Sequence, residues 1–303
     1  MNAPTRVVGF LVVVAVAFVL AYAVGTQVGP VGEPAEAAGH ADGGHSADKD
    51  HSEGGHAASG AAVAALPGGL MVSERGYTLA LRDSVAQAGR DREISFAIEG
   101  PDGTVTAYDV EHEKRLHFIA VRRDFTGFQH VHPRLSDDGT WTTDLDLTPG
   151  QWRVFADFKP TGGEALTLGS DLFVPGRTDV ARLDETTRTA TVDGYTVELT
   201  GDLVAREHSM LKLRVTHDGR PVTDLQPYLG AYGHLVALRG GDLAYLHVHP
   251  DGEPGDGKTE SGPAVELGAE VPSDGTYHLY LDFKHDGRVR TAQFQLDATA
   301  GGR

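Results

Sequence analysis

Histidine is the residue type whose spacing in this sequence points most directly to chemistry. One segment follows the pattern His-x12-His-x-His-Pro, and the same pattern returns later in the chain. Neutral imidazoles that converge in space form binding sites for Zn²⁺ or Cu²⁺. The candidate metal ligands are therefore His117, His130 and His132 in the first copy and His234, His247 and His249 in the second.

Each copy also contains an aspartate that could support these histidines. The segment GQWRVFADFK (150–159) matches GTYHLYLDFK (275–284), and both have Asp at the same place, Asp157 and Asp282. A carboxylate beside a ligating histidine can orient the ring by accepting its N–H. It can equally pair with the lysine two residues later, so both roles stay open at this point.

Strand alternation predicts where these side chains point. His117, Ile119 and Val121 share one face of an extended strand, and the second copy repeats this pattern from His234. We interpret that apolar face as the core side of a sandwich. A short loop to the strand carrying His130 and His132 predicts a hairpin. We therefore expect the three histidines of each copy to meet at one end of their own domain, which gives two equivalent sites.

The repeat extends well beyond the histidines. Gly-Tyr-Thr opens each copy, at 76–78 and at 194–196. Short runs such as HFIAV and HLVAL, separated by Asp-Gly, Gly-Gly and Pro-Gly turns, indicate β-strands. About seven strands in about 100 residues are typical of an immunoglobulin-like sandwich. We predict an all-β fold of two tandem immunoglobulin-like β-sandwiches at 68–176 and 184–298, with a connector at 177–183 and a flexible tail at 299–303.

The N-terminal segment contains a predicted targeting signal. Residues 7–24 form a charge-free apolar run that follows Arg6. About 18 such residues are near the lower limit for a transmembrane helix, and the preceding positive charge places the rest of the chain outside the cytoplasm. Ala21-Tyr22-Ala23 also fits a signal peptidase site. Segment 1–24 is therefore a transmembrane anchor or a cleaved signal, and the protein is membrane-anchored or secreted.

A tether is predicted between this segment and the repeats. Residues 25–67 are rich in Gly, Ala, Ser and Asp and have no apolar period, which indicates disorder. A histidine-rich acidic tract either captures divalent ions weakly or is a soluble spacer. The tether histidines are His40, His45, His51 and His56.

Composition excludes several functions. The 303 residues carry a formal net charge of −17, which argues against nucleic-acid binding. There is no Cys, which removes thiolate chemistry and Cys-type metal sites, and the 3 Met disfavour Cu(I).

The cofactor expected is Cu(II) or Zn(II), with Ni(II) as an option. No motif supplies a general base, so we do not expect an enzyme. Histidines without a counterpart in the other copy are interpreted as surface residues: His112, His208, His217 and His285.

The histidine motif and the FADFK and YLDFK segments resemble those of bacterial exported β-sandwich domains. These are the YtkA-like and FixH-like class and, more distantly, CopC-type copper-binding domains. The resemblance covers roughly residues 70–298 and is clearest at the six candidate ligands. It implies an immunoglobulin-like fold and metal handling outside the cytoplasm.

Two functions are weighed from these observations. The first is a membrane-tethered, extracytoplasmic metal-binding protein that buffers Cu(II) or Zn(II), or hands it to a membrane metal transporter, through a three-His cluster in each repeat. The alternative is a structural or protein-interaction module at the cell surface, with a surface protein as partner and the His clusters structural.

Overall fold

The structure is a computed structural model that describes residues 66–181 and 185–302, all within one compact unit at 63–303. These residues form strands and loops and contain no helix. In particular, none of them belongs to a helix long and apolar enough to cross a membrane. The predicted anchor and the tether histidines His40, His45, His51 and His56 lie outside the described residues.

The first repeat contributes ten strands to the fold. They are β1 (Ser73–Glu74), β2 (Tyr77–Leu81), β3 (Gly89–Gly100), β4 (Gly103–Thr104), β5 (Leu116–Arg122), β6 (Gln129–Val131), β7 (Arg134–Leu135), β8 (Trp141–Leu147), β9 (Gly150–Phe158) and β10 (Leu166–Val174).

The second repeat contributes nine strands. They are β11 (Thr189–Val192), β12 (Tyr195–Thr200), β13 (His208–His217), β14 (Arg220–Pro221), β15 (His234–Arg239), β16 (Tyr245–Pro250), β17 (Ala264–Glu270), β18 (Gly275–His285) and β19 (Arg288–Ala298).

Two antiparallel sheets pack face to face in the first repeat. One has the order β1-β2-β3-β8-β7 with β4 on β3, and the other has the order β10-β9-β5-β6. Large rings fill the space between them, including Phe96 stacked on Phe118 with centroids 4.6 Å apart. Trp141 and Trp152 are buried in the same core. Burying aromatic rings from both sheets is what stabilises a sandwich of this kind.

The second repeat has the same two layers, joined at one edge. Its strands run β11-β12-β13-β17-β16-β15-β18-β19, with β14 on β13. Strand β16 pairs with both β15 and β17 and so connects the layers. Tyr195, Tyr277 and Phe283 lie in the core between them. The predicted all-β fold of two tandem immunoglobulin-like sandwiches is confirmed for the residues that the structure describes.

Strands β5 and β15 are buried on both faces, which the alternation argument did not foresee. Phe118 and Ala120 point into the first repeat's own core. Ile119 and Val121, which share the face of His117, pack against the second repeat instead. The interpretation of the His117 face as the sandwich core was therefore wrong. Both faces of the strand are apolar, so sequence alternation cannot tell which of them is the core of the domain.

The surface between the repeats is apolar, and we call it the inter-repeat face. Phe128 stacks on Tyr280 with centroids 3.9 Å apart. The Tyr280 hydroxyl also donates to the carbonyl of Phe125 at 2.7 Å. Burying this much apolar surface holds the two sandwiches together. The buried members of the face are Ile119, Val121, Phe128, Phe155, Val236, Leu238, Leu243, Tyr245 and Tyr280.

A glycine pair ties the start of the first repeat to both sandwiches. The amide of Tyr245 donates to the carbonyl of Gly68 at 2.9 Å, and the amide of Gly69 donates to Thr167 at 2.7 Å. Gly69 has a φ of 74°, and a side chain there would collide with the ring of Phe155. Both the backbone angle and the close approach require glycine at this position.

A buried histidine at the inter-repeat face makes stability depend on pH. The ring of His278 is 3.6 Å from that of Phe125, and burial lowers the pKa of His278 to about 4. Between pH 6.5 and 4 the unfolded chain binds a proton that the folded chain does not, so stability falls as pH decreases. The shift corresponds to a loss of about 3 kcal/mol.

We expect His278→Gln to remove the part of the pH dependence that His278 contributes. The measurement is urea unfolding at pH 7.5 and pH 4.5 for the wild type, for His278→Gln and for His208→Gln, whose side chain is exposed. Of the two variants, only His278→Gln is expected to lose less stability on acidification than the wild type. Equal losses in all three chains would show that His278 does not carry the effect.

Candidate functional site

The first histidine of each motif lies at the start of a central strand, opposite an aspartate. His117 in β5 pairs with Asp157 of β9, and His234 in β15 pairs with Asp282 of β18. The exposed fractions of the two histidines are only 3% and 1%. Both therefore sit inside the protein, where polar atoms need partners.

The hairpin that follows brings the other histidines of the first motif beside His117. His130 lies in β6 opposite Ile119, and His132 follows that strand directly before Pro133. The His117 ring centroid is 5.2 Å from that of His130 and 5.2 Å from that of His132. The rings of His130 and His132 are 5.0 Å apart. The three histidines of the first copy thus meet, as the hairpin predicted.

The second repeat inserts its own histidine into this group. The His234 ring lies parallel to that of His117 at 5.6 Å and is 5.1 Å from that of His130. Nitrogen atoms of His117, His130 and His234 all lie within 4.8 Å of one another. We call His117, His130, His132 and His234 the inter-repeat cluster. The sequence predicted a separate site in each repeat, and it missed this arrangement because the inter-repeat face was taken for the sandwich core.

Hydrogen bonds fix the proton positions on two of these rings. His130 donates from Nδ1 to Asp282 Oδ2 at 2.8 Å, and Thr291 donates to the other oxygen of Asp282 at 2.6 Å. His117 donates from Nε2 to the carbonyl of Glu111 at 3.2 Å. Because a carboxylate and a carbonyl can only accept here, the protons lie on the outer nitrogens.

The inner nitrogens of the same two rings then face each other. Nδ1 of His117 and Nε2 of His130 are 3.0 Å apart. With their protons held on the outer sides, both of these atoms present lone pairs. Two lone pairs at this distance repel unless a cation lies with them, either a proton shared between the rings or a metal ion. The donor set is therefore arranged as a pair of metal-ligating imidazoles would be.

The surroundings of His132 keep its ring neutral. Burial, and then the nearby charges of His130, His117 and Lys114, lower the pKa of His132 to about 3. The ring therefore stays neutral at physiological pH. Its Nε2 is buried and has no hydrogen-bond partner among the atoms that the structure describes. A buried nitrogen of this kind needs an explanation, and a ligated ion would supply one.

The two aspartates make contacts across the inter-repeat face. Asp282 belongs to the second repeat and holds His130 of the first. Asp157 accepts from Thr167 at 3.1 Å and from the hydroxyl of Tyr245, in the other repeat, at 3.2 Å. Lys159 pairs with Asp109 and Glu111 rather than with Asp157. A supporting role of the aspartates toward a metal stays a prediction.

Two predicted ligands of the second copy are described only through their backbone. His247 pairs with Val236 and His249 pairs with Gly268 in the sheet. Their side chains lie outside what the structure describes, so their role stays a prediction. The same holds for the tether histidines.

Sequence reasoning missed one histidine at the cluster. His112 was interpreted as a surface residue, yet its ring is 5.7 Å from that of His234 and 6.1 Å from that of His117. His285 was also misinterpreted, since it is 9% exposed and bonds to Tyr195 and Asp224. The absence of a counterpart in the other copy hid both residues. The only signal for His112 was its position five residues before His117.

The fold and the cluster together define a class: tandem immunoglobulin-like sandwiches whose two repeats share one group of buried histidines. A family model described as "Domain of unknown function (DUF8832)" matches residues 72–174 and 190–300, once per repeat. These matches cover more than half of the chain, and the chain belongs to this family. The match does not extend to the YtkA-like, FixH-like or CopC-type class, so that resemblance stays a prediction.

No curated protein matches the chain. Similar solved structures include the Escherichia coli adhesin FdeC, with 14% identity over 76% of this chain and 65% of that chain and a TM-score of 0.24. The Yersinia pseudotuberculosis adhesin InvE has 10% identity over 73% of this chain and 58% of that chain, with a TM-score of 0.22. The FN1–FN3 domains of chicken CNTN1 have 10% identity over 76% and 68%, with a TM-score of 0.18. The chain spans less than two thirds of the two adhesin chains, and TM-scores this low carry no argument about function.

Proposed function

We propose that this protein binds a divalent metal ion, Cu(II) or Zn(II), in the inter-repeat cluster, and that it buffers the ion or hands it to a membrane metal transporter. The observation that carries the proposal is the convergence of nitrogen atoms from His117, His130 and His234 within 4.8 Å. The apolar, charge-free segment at 7–24 supports a location outside the cytoplasm, anchored or secreted.

The fixed proton positions support the same proposal. Imidazoles that bind a metal usually donate their other N–H to a carboxylate or a carbonyl, which orients the ring and raises its basicity. His130 donates to Asp282 and His117 donates to the carbonyl of Glu111. The ring nitrogens left for an ion are Nε2 of His130 and Nδ1 of His117, which face each other. His132 adds a further neutral imidazole.

The ligand set of imidazole nitrogens favours Cu(II). Nitrogen ligands bind Cu(II) more tightly than they bind Zn(II). We therefore expect Cu(II) to bind more tightly.

The test is metal titration of the full-length chain, purified in detergent without an affinity tag. His40, His45, His51 and His56 are replaced by Ser, so that the tether does not bind ions. We expect binding of Cu(II) tighter than micromolar, measured by calorimetry and competition with a chelator. Asp282→Asn should weaken it 10- to 100-fold, because the ring of His130 loses the carboxylate that orients it. Asp297→Asn, on the same sheet but away from the cluster, is the matched control.

A second candidate function is favoured by the bonds that already join the repeats. Asp282 bonds to His130 and Tyr245 bonds to Asp157, both across the inter-repeat face. These contacts need no metal and would suit a rigid surface module that binds another protein. Binding of Cu(II) and Zn(II) no tighter than micromolar in the titration would favour this function and overturn the first.

A further inference from the structure

A cavity beside His117 leads from the surface toward the inter-repeat cluster. Its volume is about 270 Å³, and its lining includes His112, His117, Asp157 and the exposed Arg115. Six water molecules occupy about 180 Å³, at about 30 Å³ each. A divalent ion with its full hydration shell therefore has room in this cavity.

The histidines of the inter-repeat cluster are shielded from bulk water. His117 and His234 are 3% and 1% exposed, and the side chain of His130 is 1% exposed. His132 reaches the surface in part, but its Nε2 is buried. An ion that enters must lose its waters before these atoms can replace them. A ligand placed in the cavity can replace some of these waters before the ion reaches the buried nitrogens.

His112 is placed to meet an ion there. Its half-buried side chain lines the cavity, and its ring lies 5.7 Å from that of His234 and 6.1 Å from that of His117. Lys114 and Arg115 on the cavity lining repel a cation. Lys159 is compensated by Asp109 and Glu111. At this point the imidazole of His112 offers an incoming ion a nitrogen ligand, beside the carboxylate of Asp157.

His112 lies in a tight turn of the backbone. Glu111 and Lys114 exchange two backbone hydrogen bonds at 2.8 and 3.0 Å. The two residues between them, His112 and Glu113, have φ values of 47° and 65°. A tight turn with two positive φ values favours Asn-Gly or Asp-Gly. Histidine stands here in a backbone conformation that asparagine adopts more easily.

We propose that His112 is the exchange ligand of the site, which takes an ion in the cavity, passes it to His117 and His234, and receives it again on release. This inference rests on the proposed metal-binding function. An exchange ligand changes how fast the ion moves in both directions and leaves the affinity of the final site almost unchanged.

The test uses His112→Asn, which suits the turn and so keeps the carbonyl of Glu111 that holds His117. Rates of Cu(II) binding are measured by stopped-flow quenching of tyrosine fluorescence, with Tyr228 6.2 Å from His132. Rates of release are measured by transfer to a chelator. The chain is the full-length tether variant, and His208→Asn is the matched control.

We expect both rates to fall at least tenfold in His112→Asn, with a Kd within threefold of the parent and an unchanged control. Unchanged rates would overturn the inference and leave the metal site standing. A Kd weakened tenfold or more would also overturn it, since His112 would then be a resident ligand. No Cu(II) binding by the parent chain would overturn the proposed function itself.

Discussion

His130→Ala and His234→Ala are each expected to weaken Cu(II) binding by at least about a hundredfold, although they lie in different repeats. Their rings are 5.1 Å apart in one buried cluster, so each substitution removes a ligand from the same ion. Loss of an orienting neighbour alone costs 10- to 100-fold in affinity, and loss of a ligand should cost more. The measurement is Cu(II) titration of the full-length chain that lacks the tether histidines.

The double variant separates one shared site from two independent ones. If both residues hold the same ion, the effects of His130→Ala and His234→Ala will not add, since the second substitution acts on a site already lost. His208→Ala, at an exposed position of the second repeat, should leave binding unchanged. If each single variant instead keeps one tight ion and loses another, the repeats hold separate sites, as the sequence predicted.

The strands and the candidate ligands were accessible from sequence because each follows a local rule. Alternation of apolar and polar residues marks strands, and the repeated spacing from His117 to His132 and from His234 to His249 marks two equivalent hairpins. The packing of the repeats against each other follows no local rule. Strands β5 and β15 are apolar on both faces, and only the assembled structure shows that one of these faces meets the other repeat.

The same limit applies to the partners of the histidines. Sequence offers Asp282 only as a possible support for a ligating histidine, and the structure pairs it with His234 in the sheet. Asp282, however, accepts a hydrogen bond from His130 in the other repeat. His112 escaped notice for a related reason: it has no counterpart in the second copy and lies beside the cluster in a turn with positive φ angles. Residues that both copies share can be found by comparing the copies, whereas residues that only one copy has cannot.

The two aspartates show how one motif can serve both repeats. Asp282 of the second repeat binds His130 of the first, and Asp157 of the first repeat binds Tyr245 of the second. Equivalent positions in the two copies thus both reach across the inter-repeat face. The cluster and the face are therefore one structural unit. A change in the apolar packing should alter the arrangement of the histidines.

Phe155→Ala is the sharpest test of this connection. Phe155 is fully buried in the inter-repeat face, with its ring centroid 5.6 Å from that of Tyr245. Removing a buried phenylalanine ring costs about 3–5 kcal/mol of stability. In this variant the docked arrangement of the repeats is less populated. Only docked chains assemble the cluster. The apparent Kd for Cu(II) should therefore rise by the same factor by which the docked fraction falls.

Phe96→Ala is the matched control, because the same ring is removed from the first repeat's own core, in the sheet that does not face the second repeat. We expect a comparable loss of stability on urea unfolding, with an unchanged Kd for Cu(II) wherever the chain remains folded. Saturating Cu(II) at about 100 times its Kd should add about 2.7 kcal/mol to the stability of the folded parent chain. Equal effects of Phe155→Ala and Phe96→Ala on Cu(II) affinity would mean that the cluster does not depend on how the repeats dock.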